Sequence, residues 1–106
     1  VGGINVNDPA SDLAISIAIT SSFYDKDIPQ DLIILGEVGL GGEIRSVTNL
    51  SLRLKEAEKL GFKRAIVPKG NIVNKNDIKD LKLFSFGTIK ESFKFLWSSE
   101  TQTYGT

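Results

Sequence analysis

The sequence predicts an α/β layer structure. Short apolar runs of strand length, at residues 32–35, 65–67 and 81–86, alternate with longer stretches of helical character at residues 9–23, 49–60 and 88–97. A chain of 106 residues suits one compact domain and leaves little room for a second. With 41% hydrophobic and 25% charged residues, the composition is that of an ordinary globular protein.

Residues 1–6 are β-favouring and run into Asn7-Asp8-Pro9, which reads as a helix start. Asp8 suits acceptance from the orphan N–H groups of a first turn, and Pro9 suits the first helical position, where its missing N–H costs nothing. Over residues 13–20 Leu13, Ile15, Ile17 and Ile19 alternate with small residues as in a strand. The cap and the length of the run to Phe23 nevertheless favour a helix. Its small residues let neighbours approach on both sides, so it is expected to be largely buried.

Residues 25–30 read as a loop and residues 32–35 as a buried strand. Four glycines fall within residues 36–42, which predicts a tight β-hairpin or a bulge ahead of Ile44-Arg45. Leu50, Leu54 and Ala57 have helical spacing, with Asn49 as the N-cap and Gly61 just past the C-terminus. Ala65-Ile66-Val67 reads as a buried strand closed by Pro68, residues 69–77 as a polar loop, and residues 81–86 as another strand. Thr88 and Glu91 have the spacing of a capping box, behind which Ile89, Phe93, Leu96 and Trp97 form one helical stripe. The domain is therefore expected over residues 1–97, with residues 98–106 as a frayed polar tail.

The chain has no Cys and no His. This excludes disulfides, thiolate chemistry, Cys-type zinc sites and any Ser-His-Asp or Cys-His catalytic arrangement. No stretch approaches the roughly 18 apolar residues that span a bilayer, so no membrane partner and a cytoplasmic location are expected. The glycine cluster is not a dinucleotide fingerprint, because the third position after Gly41 is Ile44, and Lys69-Gly70-Asn71 is not a Walker A loop. Asp25, Asp27 and Asp31 lack the spacing of a calcium loop, since Gln30 and Gly36 stand where Gly and Glu are needed. No cofactor or metal is expected within the chain.

Net charge is zero, yet the charges are sorted. Residues 1–43 hold seven acids against one base, and residues 44–106 hold twelve bases against six acids. Arg53, Lys55, Lys59, Lys63 and Arg64 cluster on or just after one amphipathic helix, with Lys69 and Lys75 in the next loop. Such a group suits a phosphate-contacting face and equally a solvated helix face. No aromatic residues interleave with these bases, so base stacking has no platform among them.

Residues 7–14 (Asn-Asp-Pro-Ala-Ser-Asp-Leu-Ala), 36–45 (Gly-Glu-Val-Gly-Leu-Gly-Gly-Glu-Ile-Arg), 53–57 and 60–68 (Leu-Gly-Phe-Lys-Arg-Ala-Ile-Val-Pro) together resemble the C-terminal Lon-protease-like domain of the bacterial DNA repair family RadA, also called Sms. The resemblance runs in order to about Pro68 and more loosely to Trp97. It implies a Lon-like fold of the ribosomal protein S5 domain 2 type, with a mixed sheet packed by helices. Lon-type peptidases pair a serine with a lysine that accepts its proton, which needs no His. In the aligned positions this sequence carries Ala10 for the serine and Ser51 for the lysine. The resemblance thus implies a non-catalytic module that assembles into a hexameric ring and contacts DNA, with Arg45, Arg53, Lys55, Lys59, Lys63, Arg64 and Lys69 as candidate DNA-binding residues. ATP, Mg and Zn are expected only in the remainder of a RadA-like ATPase. The family's domain begins upstream of Val1, so the chain reads as a fragment without leading strands and a helix. Two alternatives are a Ser-Lys peptidase with a relocated Ser11–Lys55 dyad and a stand-alone RNA-binding domain of S5-like fold.

Overall fold

The computed structural model describes residues 7–104, with side chains through Ser98, so the strand expected over residues 1–6 lies outside the described residues. In chain order the elements are α1 (Asp12–Tyr24), β1 (Leu32–Ile34), β2 (Glu37–Val38), β3 (Ile44–Arg45), α2 (Leu50–Lys59), β4 (Arg64–Pro68), β5 (Lys82–Phe86) and α3 (Ile89–Tyr104). Short 3-10 turns occupy Pro9–Ser11 and Lys75–Asp77.

The sheet forms where the sequence is most continuously apolar. β1, β4 and β5 lie in the order β1-β4-β5, all parallel, with Leu32 opposite Arg64 and Arg64 opposite Lys82. β4 is central, and its side chains alternate between two cores. Ala65 and Val67 join Leu50, Leu54 and Ala57 of α2, while Ile66 joins Leu13 and Ile17 of α1 and Trp97 of α3. Burial on both faces explains why this strand reads as an unbroken apolar run.

β2 and β3 form a separate antiparallel pair, Glu37 opposite Arg45 and Val38 opposite Ile44. Among the described residues, the parallel and antiparallel pairings, expected in one mixed sheet, thus occupy two sheets. The cause is local. After Leu35 N–H donates to the Ile66 carbonyl (3.0 Å), Gly36 N–H turns to the Ala10 carbonyl (3.0 Å) and its own carbonyl receives Leu13 N–H (3.0 Å). Those bonds draw the chain off the sheet toward the start of α1, and the hairpin docks instead on the start of α3 through Ile44 N–H to the Gly87 carbonyl (2.8 Å) and Ile89 N–H to the Gly42 carbonyl (2.9 Å).

Asp8 and Pro9 open a 3-10 turn, with Asp8 Oδ1 accepting from Ala10 N–H (3.0 Å), and α1 follows from Asp12 without a side-chain cap of its own, so the expected cap serves the lead-in turn and not α1 itself. The helix is not largely buried, however. Leu13 and Ile17 are inaccessible, but Ile19, Phe23 and Tyr24 are exposed. A strand-like alternation wound at 3.6 residues per turn distributes apolar side chains all around the helix, and the core covers one side only.

Asn49 is the N-cap residue of α2, as expected, but it sits in the left-handed region (φ 57°) and its side chain makes no cap hydrogen bond. Its approach is set by Val47, whose N–H and carbonyl are both clamped by the Asn71 amide at 3.0 Å. Asn tolerates the left-handed conformation better than most residues, which suits it to this corner. At the other end Gly61 (φ 96°) closes the helix as expected, with Phe62 N–H on the Ala57 carbonyl (3.1 Å) and Gly61 N–H on the Glu58 carbonyl (3.0 Å).

The capping box of α3 is formed: Glu91 N–H donates to Thr88 Oγ1 (3.2 Å), and Thr88 N–H to Glu91 Oε1 (3.0 Å). Trp97 leaves helical geometry (φ −132°, ψ 22°), and helix resumes to Tyr104 where a tail is expected from Ser98. Trp97 is held in the core by its indole N–H, which donates to the Asp27 carbonyl (2.8 Å). Residues 98–104 contain neither Gly nor Pro, so their polarity does not oppose helix. No helix among the described residues is long and apolar enough to cross a membrane.

Candidate functional site

Beyond the C-terminal end of β1, the first turn of α1 and the start of α2 come together. Between them lies a cavity of about 110 Å³, lined by Asp8, Pro9, Ala10, Glu37, Ser46, Val47, Thr48 and Arg53. Parallel α/β sheets place ligand crevices at this end of their strands. Arg53 crosses one wall: its guanidinium donates to Asp8 Oδ2 (2.8 Å) and Oδ1 (3.4 Å), and its Nε donates to the Thr48 carbonyl (2.9 Å). The Arg53 hydrogen bond, seconded by the Ala10 N–H, holds the Asp8 carboxyl below the usual carboxylate range.

Of the two positions aligned with a Ser-Lys dyad, Ala10 lines this space and Ser51 lies outside its lining. Ala10 is 3% exposed and belongs to the apolar cluster of Leu35, Val47, Leu50 and Leu54. A methyl group in that setting is packing, not chemistry. Ser51 sits half-buried on the first turn of α2. Ser11 is half-buried, and its N–H donates to the Asp8 carbonyl (2.9 Å), whereas Lys55 is exposed on α2. Among the described residues no hydrogen bond joins Ser11 to Lys55.

The candidate cations divide into two kinds. Arg45, Arg53 and Arg64 each engage a carboxylate: Arg45 with Glu43 (3.1 Å), Arg53 with Asp8 (2.8 Å) and Arg64 with Asp31 (2.6 Å). All three acids come from residues 1–43, so folding cancels within the chain part of the charge separation that the sequence displays. The Arg64 hydrogen bond lowers the Asp31 carboxyl pKa, and the same bond raises that of Arg64. Lys55, Lys59, Lys63 and Lys69 are exposed.

The sheet sorts these groups by end. Lys59 closes α2 and Lys63 and Arg64 open β4, so they share the N-terminal end of the parallel strands, whereas Lys69 follows β4 at the other end with Arg45 and Arg53. The candidates therefore do not form one patch. Strand pairing also brings Lys82 beside Arg64, and Lys79 approaches through Glu58, whose carboxylate accepts from Lys79 N–H (2.8 Å) and Asp80 N–H (2.6 Å). Sequence reasoning missed both lysines, because the place of Lys82 beside Arg64 comes from strand register and the contact of Lys79 with Glu58 joins a loop to α2, and neither has a local signal.

A family model described as Subunit ChlI of Mg-chelatase matches residues 3–71, more than half of the chain. The chain belongs to this family. The ChlI match spans α1 to β4 and includes the cavity, both dyad-aligned positions and all seven candidate cations. The chain is also similar to three proteins named DNA repair protein RadA. It is 61% identical over 69 residues to that of Synechocystis sp., covering 65% of this chain and 14% of the relative. It is 43% identical over 96 residues to that of Aquifex aeolicus and 45% over 96 residues to that of Haemophilus influenzae, each covering 91% of this chain and 21% of the relative. The chain thus spans between 14% and 21% of the length of these relatives.

Proposed function

We propose that this chain is a non-catalytic oligomerisation and DNA-contacting module, with a Lon-protease-like fold of the ribosomal protein S5 domain 2 type, within a RadA-type ATP-dependent DNA repair and recombination protein. The observation that carries the reading is the 61% identity to a DNA repair protein RadA over 69 residues. Supporting it, Ala10 fills the aligned hydroxyl position with a buried methyl. In this reading the module acts in the cytoplasm as part of a hexameric ring, and ATP, Mg and Zn are bound by the remainder of the protein. The exposed Lys55, Lys59, Lys63 and Lys69 supply phosphate contacts directly. Arg45, Arg53 and Arg64 do so by exchanging a carboxylate for a phosphate, a partner that accepts the same paired hydrogen bonds.

DNA affinity measured against salt tests the reading. Each phosphate contact contributes about 0.9 to the slope of log affinity against log salt. K59E/K63E should therefore flatten the slope by about 2. A flat response in the unaltered protein, or an unchanged slope in the variant, overturns the DNA-contacting role. Peptide cleavage that is abolished by S11A or K55A overturns the non-catalytic assignment.

A further inference from the structure

Just before β5, two successive backbone N–H groups converge on one atom. Lys79 N–H (2.8 Å) and Asp80 N–H (2.6 Å) both donate to Oε2 of Glu58, on the last turn of α2. The Asp80 N–H above all, and after it those of Lys79 and Leu81, hold the Glu58 carboxyl below the usual carboxylate range. Successive N–H groups turned to one side make a concave anion site, and such sites accept carboxylate and phosphate oxygens alike.

The two donors do not depend on Glu58 for their placement. Ile78 and Leu81 flank them, and both pack in the apolar cluster of Leu54, Ala57 and Ala65. Lys82 N–H then donates to the Lys63 carbonyl (3.0 Å), which fixes the start of β5 to the start of β4. Lysines stand around the donors: Lys79 supplies one of them, Lys63 and Lys82 begin adjacent strands, Lys59 follows Glu58 in α2, and all four are exposed. Acids share this end of the sheet. Asp31 is taken up by Arg64, while Asp27, Glu56, Asp77 and Asp80 are exposed. Net charge therefore does not mark the place. What sets it apart is a preformed pair of donors among lysines, filled from within by one carboxylate.

We infer that the Lys79 and Asp80 N–H groups form a phosphate subsite for DNA, flanked by Lys63 and Lys82, which Glu58 occupies until a phosphate displaces it. The inference rests on the DNA-contacting role proposed above and adds to it a subsite and an internal competitor. A phosphodiester brings one oxygen to the paired N–H groups and has another left for a lysine, so the donors stay satisfied through the exchange. An anion without those further contacts gains too little to dislodge a carboxylate tethered beside them.

E58A removes the competitor. In the whole 106-residue chain it should tighten binding to a short DNA duplex about tenfold at fixed salt, the gain from one charge-assisted contact, and steepen the slope of log affinity against log salt by about 0.9. E56A removes the same charge from an exposed position on α2 and should leave the slope unchanged. Amide NMR spectra read the subsite itself. The Lys79 and Asp80 signals of E58A should move as duplex is added, and those of the unaltered chain should move at saturating duplex, a reading that does not depend on the variant folding. Inorganic phosphate alone separates the sources: signals that move with phosphate and not with duplex overturn DNA as the ligand. Salt-dependent DNA binding in which both signals stay fixed, or equal slopes in E58A and E56A, overturns the subsite and leaves the DNA-contacting role standing. A flat salt response in every chain overturns both.

Discussion

Gly36 shows how one residue can carry the junction between two sheets. Its N–H and carbonyl tie β1 to the start of α1, and a Cβ at this position would lie 2.8 Å from Ile44 Cγ2 and 3.2 Å from Leu13 Cδ2. Both neighbours are buried and have no room to retreat. G36A should therefore lower the free energy of unfolding by about 1 to 3 kcal/mol, the usual cost of overpacking a close-packed core, as read from urea midpoints. Gly39 makes the contrast. The atoms a new Cβ would meet there belong to the carboxylate at the flexible end of the half-buried Glu43, which can move aside by giving up its contacts with Gly41 N–H and Arg45, so G39A should cost less than G36A in the same measurement. The Asp8 and Arg53 pair is legible at this scale only in part. Asp8 is recognisable as a helix cap from the proline that follows it, but its ion pair with a residue on a different helix has no local signature.

Among the elements, those with strong end signals match their sequence reading most closely. The capping box of α3 and the glycine closure of α2 are both formed, because each is satisfied by residues within one turn of each other. T88A should destabilise the protein by about 1 kcal/mol, since Glu91 N–H loses its only side-chain acceptor at the helix start, and thermal unfolding followed at 222 nm would read the change. Start signals that depend on the incoming chain do not transfer so well. Asn49 holds the N-cap position, yet the clamp between Val47 and Asn71 brings the chain in with Asn49 in the left-handed region, where its side chain makes no cap hydrogen bond. Helix α1 illustrates a different limit. Its alternation is compatible with either periodicity, and only docking decides that Leu13 and Ile17 go in while Ile19 and Phe23 stay out.

For the molecule as a whole, acid should be the condition that loosens it. The carboxyls of Asp8, Asp31, Glu43, Glu58 and Glu91 all sit below their ordinary values, held by arginine side chains or by backbone N–H groups. A carboxyl depressed in the folded state stabilises it at every pH above the unfolded value, near 4, and loses that contribution as pH falls through the folded value. Urea midpoints should thus be similar at pH 7 and pH 5 and clearly lower at pH 3. The D8N/D31N variant should show a shallower fall. Equal midpoints at all three values would mean that these contacts add nothing to the fold.

What the sequence determined by itself is whatever neighbouring residues settle between them: the alternation of strands and helices, the Asp8 cap of the turn leading into α1, the capping box of α3, the glycine hairpin and the helical face of α2. It also determined the chemistry that is out of reach, since no fold supplies a histidine or a thiol that the chain does not contain. Tertiary structure alone decided that, among the described residues, antiparallel and parallel pairings separate into two sheets, that Lys82 stands beside Lys63 and Arg64, and that three arginines pair with Asp8, Asp31 and Glu43. The reason is that strand register, ion pairs between elements and the choice of buried face all join residues far apart along the chain, whose meeting is fixed by the packing of the sheet and not by any pattern either partner carries.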